Sequence, residues 1–139
     1  MSKKIKEIIA LIVLICLLVA SCGYLGYLLM PERTDFGAQW NMFLKEPNGS
    51  VDVLVVGSSL AYCDVVPEII NSQTGANSYV LGAPEMTMPI MYYYVKEALN
   101  TQSPKKILIE ATSLLYEKYM GYSKVSIGYM PFGVNRLMA

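Results

Sequence analysis

Val51-Asp52-Val53-Leu54-Val55-Val56-Gly57-Ser58-Ser59-Leu60-Ala61 reads as a buried strand running into a tight turn that carries two hydroxyls. Five of the six residues from Val51 to Val56 are Val or Leu. That composition suits a strand covered on both faces, as at the centre of a parallel sheet. Gly57 marks where the backbone turns and where a side chain would clash. In open α/β sheets, ligands bind in the crevice beyond the carboxyl end of such a strand, so Ser58 and Ser59 stand where chemistry is commonly placed. The plainer alternative is that these hydroxyls cap the next helix.

Working outward, Val66-Pro67-Glu68-Ile69-Ile70-Asn71 opens a helix with Pro67 in its first turn, ending near Gly75. Ser78-Tyr79-Val80-Leu81-Gly82 follows as a second strand, closed by the small-residue turn Gly82-Ala83-Pro84. The spacing of Ile90, Tyr94, Val95 and Leu99 predicts a long helix over 87–101. Within it, adjacent Tyr92, Tyr93 and Tyr94 point to different sides, so at least one faces out. Lys106-Ile107-Leu108-Ile109-Glu110 is the third strand. Strands alternating with helices predict βαβ units in a three-layer α/β parallel sheet of about three strands, the first of them central.

Upstream, residues 31–50 form a connector with a short helix around 38–46, whose Trp40, Met42, Phe43 and Leu44 pack on the domain or rest at a membrane surface. Packing is the expectation. Pro47-Asn48-Gly49-Ser50 is a turn; Asn48-Gly49-Ser50 also fits a glycosylation acceptor. From Ile8 to Met30 run 23 residues without a charge. At ~1.5 Å per residue that helix reaches about 35 Å, enough to cross a bilayer core. Lys3, Lys4 and Lys6 precede it and Glu32, Arg33 and Asp35 follow, which predicts a cytoplasmic N-terminus and the remainder outside. The expected organisation is a basic tip and transmembrane helix over 1–30, the connector over 31–50, and the α/β domain over 51–139. A lipoprotein processed at Val19-Ala20-Ser21-Cys22 and a cleaved signal peptide are the alternatives.

Charge and composition narrow the function. Residues 31–139 carry eight basic and ten acidic side chains, which offers no electrostatic footprint for nucleic acid. Cys16 and Cys22 lie in the apolar span, leaving Cys63 alone in the domain, where a small buried role is expected. There is no histidine, and with it go the commonest general base and the commonest zinc ligand. Neither a Gly-x-Gly-x-x-Gly nor a Walker-type lysine loop is present, so no nucleotide or other cofactor is expected. Glu110, paired with Asp64 or Glu85, offers an acid/base couple that nothing in the spacing selects. Tyr116, Tyr119, Tyr122 and Tyr129, spread through the tail, suit either sugar stacking or local packing.

Gly57-Ser58-Ser59-Leu60 at a strand end resembles the first block of the SGNH (GDSL-type) hydrolase family. An N-terminal span, a Gly-Ser-Ser turn, a Tyr and a Pro-initiated helix resemble more closely its membrane-anchored branch, which includes DltD-like and alginate O-acetylation-type proteins. The likeness covers roughly residues 51–112. It implies a partial SGNH (flavodoxin-like) fold with Ser59 as the catalytic nucleophile, Ser58 in the place of the family's aspartate, and the backbone amides of Ser59 and Gly82 as oxyanion donors. It further implies acyl-ester hydrolysis or acyl transfer on an extracytoplasmic envelope polymer, with a polysaccharide or an acyl donor protein as partner beside the lipid bilayer. Two departures stand out. Glu110-Ala111-Thr112-Ser113 replaces the family's Asn-bearing third block, and the late Asp-x-x-His block is missing. The expectation is an N-terminal portion that is nearly inert alone. The rival is a non-catalytic anchored module that serves an envelope assembly or binds glycan.

Overall fold

The Val-Leu run becomes the central strand of a parallel sheet. In the computed structural model, which describes residues 3–28, 38–115 and 121–139, β1 (Val53–Gly57) lies between β2 (Ser78–Gly82) and β3 (Lys106–Ile109), in the order β2-β1-β3. Both pairings are parallel, and Val53 is aligned with Ser78 on one side and Lys106 on the other. Leu54, Val55 and Val56 are all buried, as a strand covered on both faces requires.

Alternation along β1 sends its side chains to two helical layers. On one side, α3 (Ser59–Asp64) and α4 (Pro67–Thr74) cover the sheet, where Ala61 packs with Val55 and Val80. On the other, Leu54, Val56 and Leu81 pack with α5 (Met88–Ala98) through Ile90, Met91 and Tyr94. α2 (Ala38–Phe43) contributes Trp40 and Phe43 to that larger core, so the connector helix docks by its aromatic pair while Met42 and Leu44 stay exposed. Trp40 meets Tyr94 edge-on with centroids 5.1 Å apart, a favoured geometry for aromatic quadrupoles. A 3-10 helix (Ala111–Leu115) and two short helices, α6 (Ser123–Tyr129) and α7 (Val134–Met138), complete the order.

Local chemistry sets the boundaries. Pro67 opens α4 and Gly75, at φ 71°, closes it in the left-handed region, as the Pro-first, Gly-last asymmetry of helices predicts. Gly49, at φ 70°, turns the chain ahead of β1, with Ser50 N–H donating to the Pro47 carbonyl. Buried Gln102 ties this turn down by accepting from Val51 N–H at 3.1 Å and donating to Pro47 O at 3.0 Å. Of the tyrosine run, Tyr92 is exposed and Tyr94 buried. Cys63 corrects the expectation of burial. It is exposed, because α3 presents Ala61 to the sheet and two residues on is the far side of a helix.

The N-terminal unit, Met1–Pro31, contains α1 (Lys3–Leu28). Within its Lys3–Gly26 segment, an 18-residue window has a mean hydropathy of 2.9 with none of it buried. A helix apolar all round with no protein cover has the composition of a membrane span or a signal sequence. The charged flank Glu32, Arg33 and Asp35 lies outside the described residues, as do Tyr116 and Tyr119.

Candidate functional site at the carboxyl end of the sheet

Because β1 and β3 are parallel and Val56 is aligned with Ile109, the residues that follow them emerge side by side. Gly57 is what lets them close up. A Cβ there would fall 2.5 Å from Ala61 Cβ and 2.6 Å from Glu110 Cβ. Its φ lies outside the left-handed region occupied by Gly49 and Gly75, so the glycine is required for room rather than for an unusual turn.

Into that room comes the Glu110 carboxylate. Its Oε2 accepts from Ser58 N–H at 2.9 Å, from the Ser58 hydroxyl, and from the Ser113 hydroxyl at 3.2 Å. Its Oε1 is buried without a partner. Burial pushes the carboxyl upward, but the hydrogen bonds from Ser58 and Ser113 outweigh it and hold Glu110 below the usual glutamate range. Glu110 is therefore ionised at neutral pH and acts as a clamp across the β1 and β3 ends.

Ser58 is fully buried. It is the N-cap of α3, its Oγ accepting from Leu60 N–H at 3.4 Å. Capping and clamping both use the same hydroxyl, which has no path to an external electrophile. The Ser58–Glu110 pairing is a feature sequence reasoning missed; Asp64 and Glu85, the partners weighed for Glu110, make no hydrogen bond to either of its oxygens.

Ser59 differs from its neighbour in every respect that matters for reactivity. It is the first residue of α3, half-buried. Neither its hydroxyl nor its N–H has a hydrogen-bond partner among the described residues. An N–H in the first turn of a helix has no intrahelical acceptor, so donor and hydroxyl stand open together on one residue.

Gly82 lies beside this turn. It is aligned with Gly57, and a Cβ on it would fall 3.3 Å from the Ser58 carbonyl and 2.8 Å from the Tyr62 ring. The close approach is thus to the protein's own backbone. The Gly82 N–H donates to Gln39 Oε1 at 2.7 Å, while the next amide, Ala83 N–H, turns inward to Gly57 O at 3.3 Å. Successive strand amides alternate in direction, so the Gly82 donor points to the outer edge of β2, where α2 supplies a carboxamide oxygen. Gln39 also accepts the Tyr79 hydroxyl on its backbone carbonyl at 2.8 Å; burial, with the Glu46 charge as a lesser cause, pushes that phenol up to about 12.

Glu85, in the turn after β2, has φ 48° and is the one non-glycine residue in the left-handed region among those described. Such strain is stored where surrounding structure fixes it, often near a functional site. Among the described residues, no group of three His, Cys, Asp or Glu side chains is placed to hold a metal. Comparison of the chain with protein-family models, with curated proteins and with solved structures finds no match, so the reading of this site rests on its geometry.

Proposed function

We propose that the chain is a membrane-tethered, SGNH-like protein handling acyl esters outside the cell, with Ser59 as the acyl acceptor. One observation carries the reading: an open hydroxyl and an open N–H on the same residue, at the carboxyl end of the central strand of a parallel sheet. Ser59 Oγ attacks the acyl carbonyl and gives up its proton to water or an added base, the Ser59 N–H at the start of α3 holds the oxygen that becomes negative, and collapse breaks the ester C–O bond so that the alcohol leaves and takes up a proton. The Ser58–Glu110 clamp fixes the turn so that this pair keeps its geometry. The apolar α1 supports the tether, and the lysines ahead of it support a cytoplasmic N-terminus.

With no histidine in the chain, no imidazole of its own takes the Ser59 proton. General-base help is worth ~10²–10⁴ in rate, so the unaided chain turns over esters slowly. Supplying the missing base tests this directly. In detergent, full-length chain is given p-nitrophenyl acetate with increasing imidazole, after subtraction of imidazole's own reaction. The reading expects a protein-dependent, saturating rate that is lost in Ser59→Ala. Equal rates for wild type and Ser59→Ala overturn it.

A second reading is a non-catalytic envelope or glycan-binding module. The Gly82 amide favours it, since that donor is satisfied by Gln39 rather than left open. Saturable binding of envelope polysaccharide, together with no Ser59-dependent ester cleavage, decides for this reading.

A further inference from the structure

Main-chain groups along β2 alternate between the central strand and the outer edge. Asn77 O accepts from Val53 N–H and Ala83 N–H donates to Gly57 O, so Asn77, Tyr79, Leu81 and Ala83 face β1. Ser78, Val80 and Gly82 therefore face outward. The first and last of these amides are taken by carboxamides: Ser78 N–H donates to Asn71 Oδ1 at 2.8 Å, and Gly82 N–H to Gln39 Oε1 at 2.7 Å. Each side-chain oxygen stands where the carbonyl of a neighbouring strand would stand. Val80, between them, has no hydrogen-bond partner for its outward N–H or C=O among the described residues. The edge is thus closed at two places and open at one.

That opening is the floor of a groove. A cavity of about 400 Å³ runs along it, with Gln39 and Met42 of α2 on one side and Glu68 and Asn71 of α4 on the other. The Val80 side chain packs inward with Val55 and Ala61, so what this residue offers the groove is its main chain. The lining includes the carboxylates of Glu46 and Glu68 and no basic side chain. Neither carboxylate has an ion-pair or hydrogen-bond partner among the described residues. Both flank the start of β2. Glu46, just past α2, is close enough for the Tyr79 phenol to feel its charge, and Glu68 follows Pro67, whose carbonyl accepts the Ser78 hydroxyl at 3.2 Å. Because α2 packs in the Leu54 and Leu81 core and α4 covers the opposite face, the two charges lie on opposite sides of the sheet.

We propose that this groove binds an extended segment of another protein that carries two adjacent basic residues, added to the sheet at Val80. In either strand direction the segment takes the Val80 N–H on a carbonyl and gives an N–H to the Val80 C=O. Successive side chains of a strand point to opposite faces, so one basic side chain meets Glu46 and the next meets Glu68. Main-chain pairing at a sheet edge supplies affinity, and the flanking carboxylates select the sequence. A donor and an acceptor open together on one strand residue match a peptide main chain, which the hydroxyls of a glycan do not repeat. The inference is independent of the chemistry assigned to Ser59.

Peptide titration tests it. Full-length chain in detergent is added to fluorescein-labelled Thr-Thr-Lys-Lys-Thr-Thr with blocked ends, and anisotropy is followed. The expected result is saturable binding, tighter than that of a peptide of equal charge with its lysines one residue apart, which sets both on one face. Glu46→Gln and Glu68→Gln each weaken binding of the adjacent-lysine peptide about two- to five-fold, the range of a part-exposed ion pair, and remove its advantage, while Trp40 fluorescence remains that of the folded protein. Methylating every second main-chain nitrogen of the peptide leaves its charge intact; one of the two alternating patterns weakens binding about tenfold or more through a lost main-chain bond, and the other does not. Absence of saturable binding, equal affinity for both methylation patterns, or a glucosamine oligomer binding through Glu46 and Glu68 where the peptide does not, overturns the proposal.

Discussion

Replacing Glu110 with Gln removes the charge from the clamp and changes little else in shape. Oε2 accepts from Ser58 N–H, the Ser58 hydroxyl and the Ser113 hydroxyl. Hydrogen bonds to an ionised group contribute ~1.5–3 kcal/mol and neutral ones ~0.5–1.5 kcal/mol, so the loss is about 1 kcal/mol for each bond. Partial exposure of the carboxylate discounts the sum to about 2 kcal/mol. The other carboxyl oxygen, already without a partner, adds little when it becomes NH₂. Trp40, the only tryptophan and almost fully buried, reports unfolding of this unit by fluorescence. For a domain of this size, about 2 kcal/mol corresponds to a fall of roughly 10 °C in Tm. The pH dependence carries a definite sign. A carboxyl held below its ordinary value stabilises the fold fully above that value, and the contribution disappears as pH falls through the lowered folded pKa. The wild-type advantage over Glu110→Gln is therefore complete above roughly pH 5.5 and shrinks on further acidification. A difference below about 0.5 kcal/mol at neutral pH, or one that widens in acid, refutes the clamp.

Two further perturbations probe the same region. Gly57→Ala forces its Cβ against Ala61 and Glu110, so urea denaturation is expected to show a loss of about 2–3 kcal/mol, as for overpacking in a dense core; a loss under 0.5 kcal/mol would show that the strand ends are not closed up. The Tyr79 phenol, pushed up to about 12 by burial, is neutral in the fold. Its contribution is whole below the ordinary tyrosine value near 10 and is lost as pH rises through about 12. The ultraviolet titration of wild type minus Tyr79→Phe should show a phenol ionising near the top of that range, and one ionising near 10 contradicts the burial.

Much of the architecture was legible because it rests on local chemistry. The Val-Leu run over 51–56, Pro67 ahead of a helix, Gly75 after it and the apolar period of α5 each act within a few residues, and each element formed where its residues directed. The central place of β1 followed from its two buried faces. The clamp was not legible in the same way, since Ser58 and Glu110 are 52 positions apart. Their meeting depends on β3 lying beside β1 in one register, and a carboxylate directly after the third strand was the signal that pointed to it. That a side chain at Gly57 clashes is legible from its place after the strand, but its neighbours there, Ala61 and Glu110, are not both local: Glu110 comes from the end of β3. Gly82 was read as a donor to substrate, whereas the direction of a strand amide depends on the pairing of the strand, and this one meets Gln39. A first strand at the centre of three already makes β3 an edge, as the sheet order bears out; less legible is the exposure of Ile107, Leu108 and Ile109, since Ile-Leu-Ile reads as a core strand.

The most direct measurement is the mass of the acylated chain. Full-length protein is incubated with an activated acyl ester and imidazole, quenched in acid, digested and sequenced by mass spectrometry. The account predicts one acyl group on the peptide containing Ser58 and Ser59, localised to Ser59 and absent in Ser59→Ala. Acyl groups on lysines alone, or on Ser58, would contradict it.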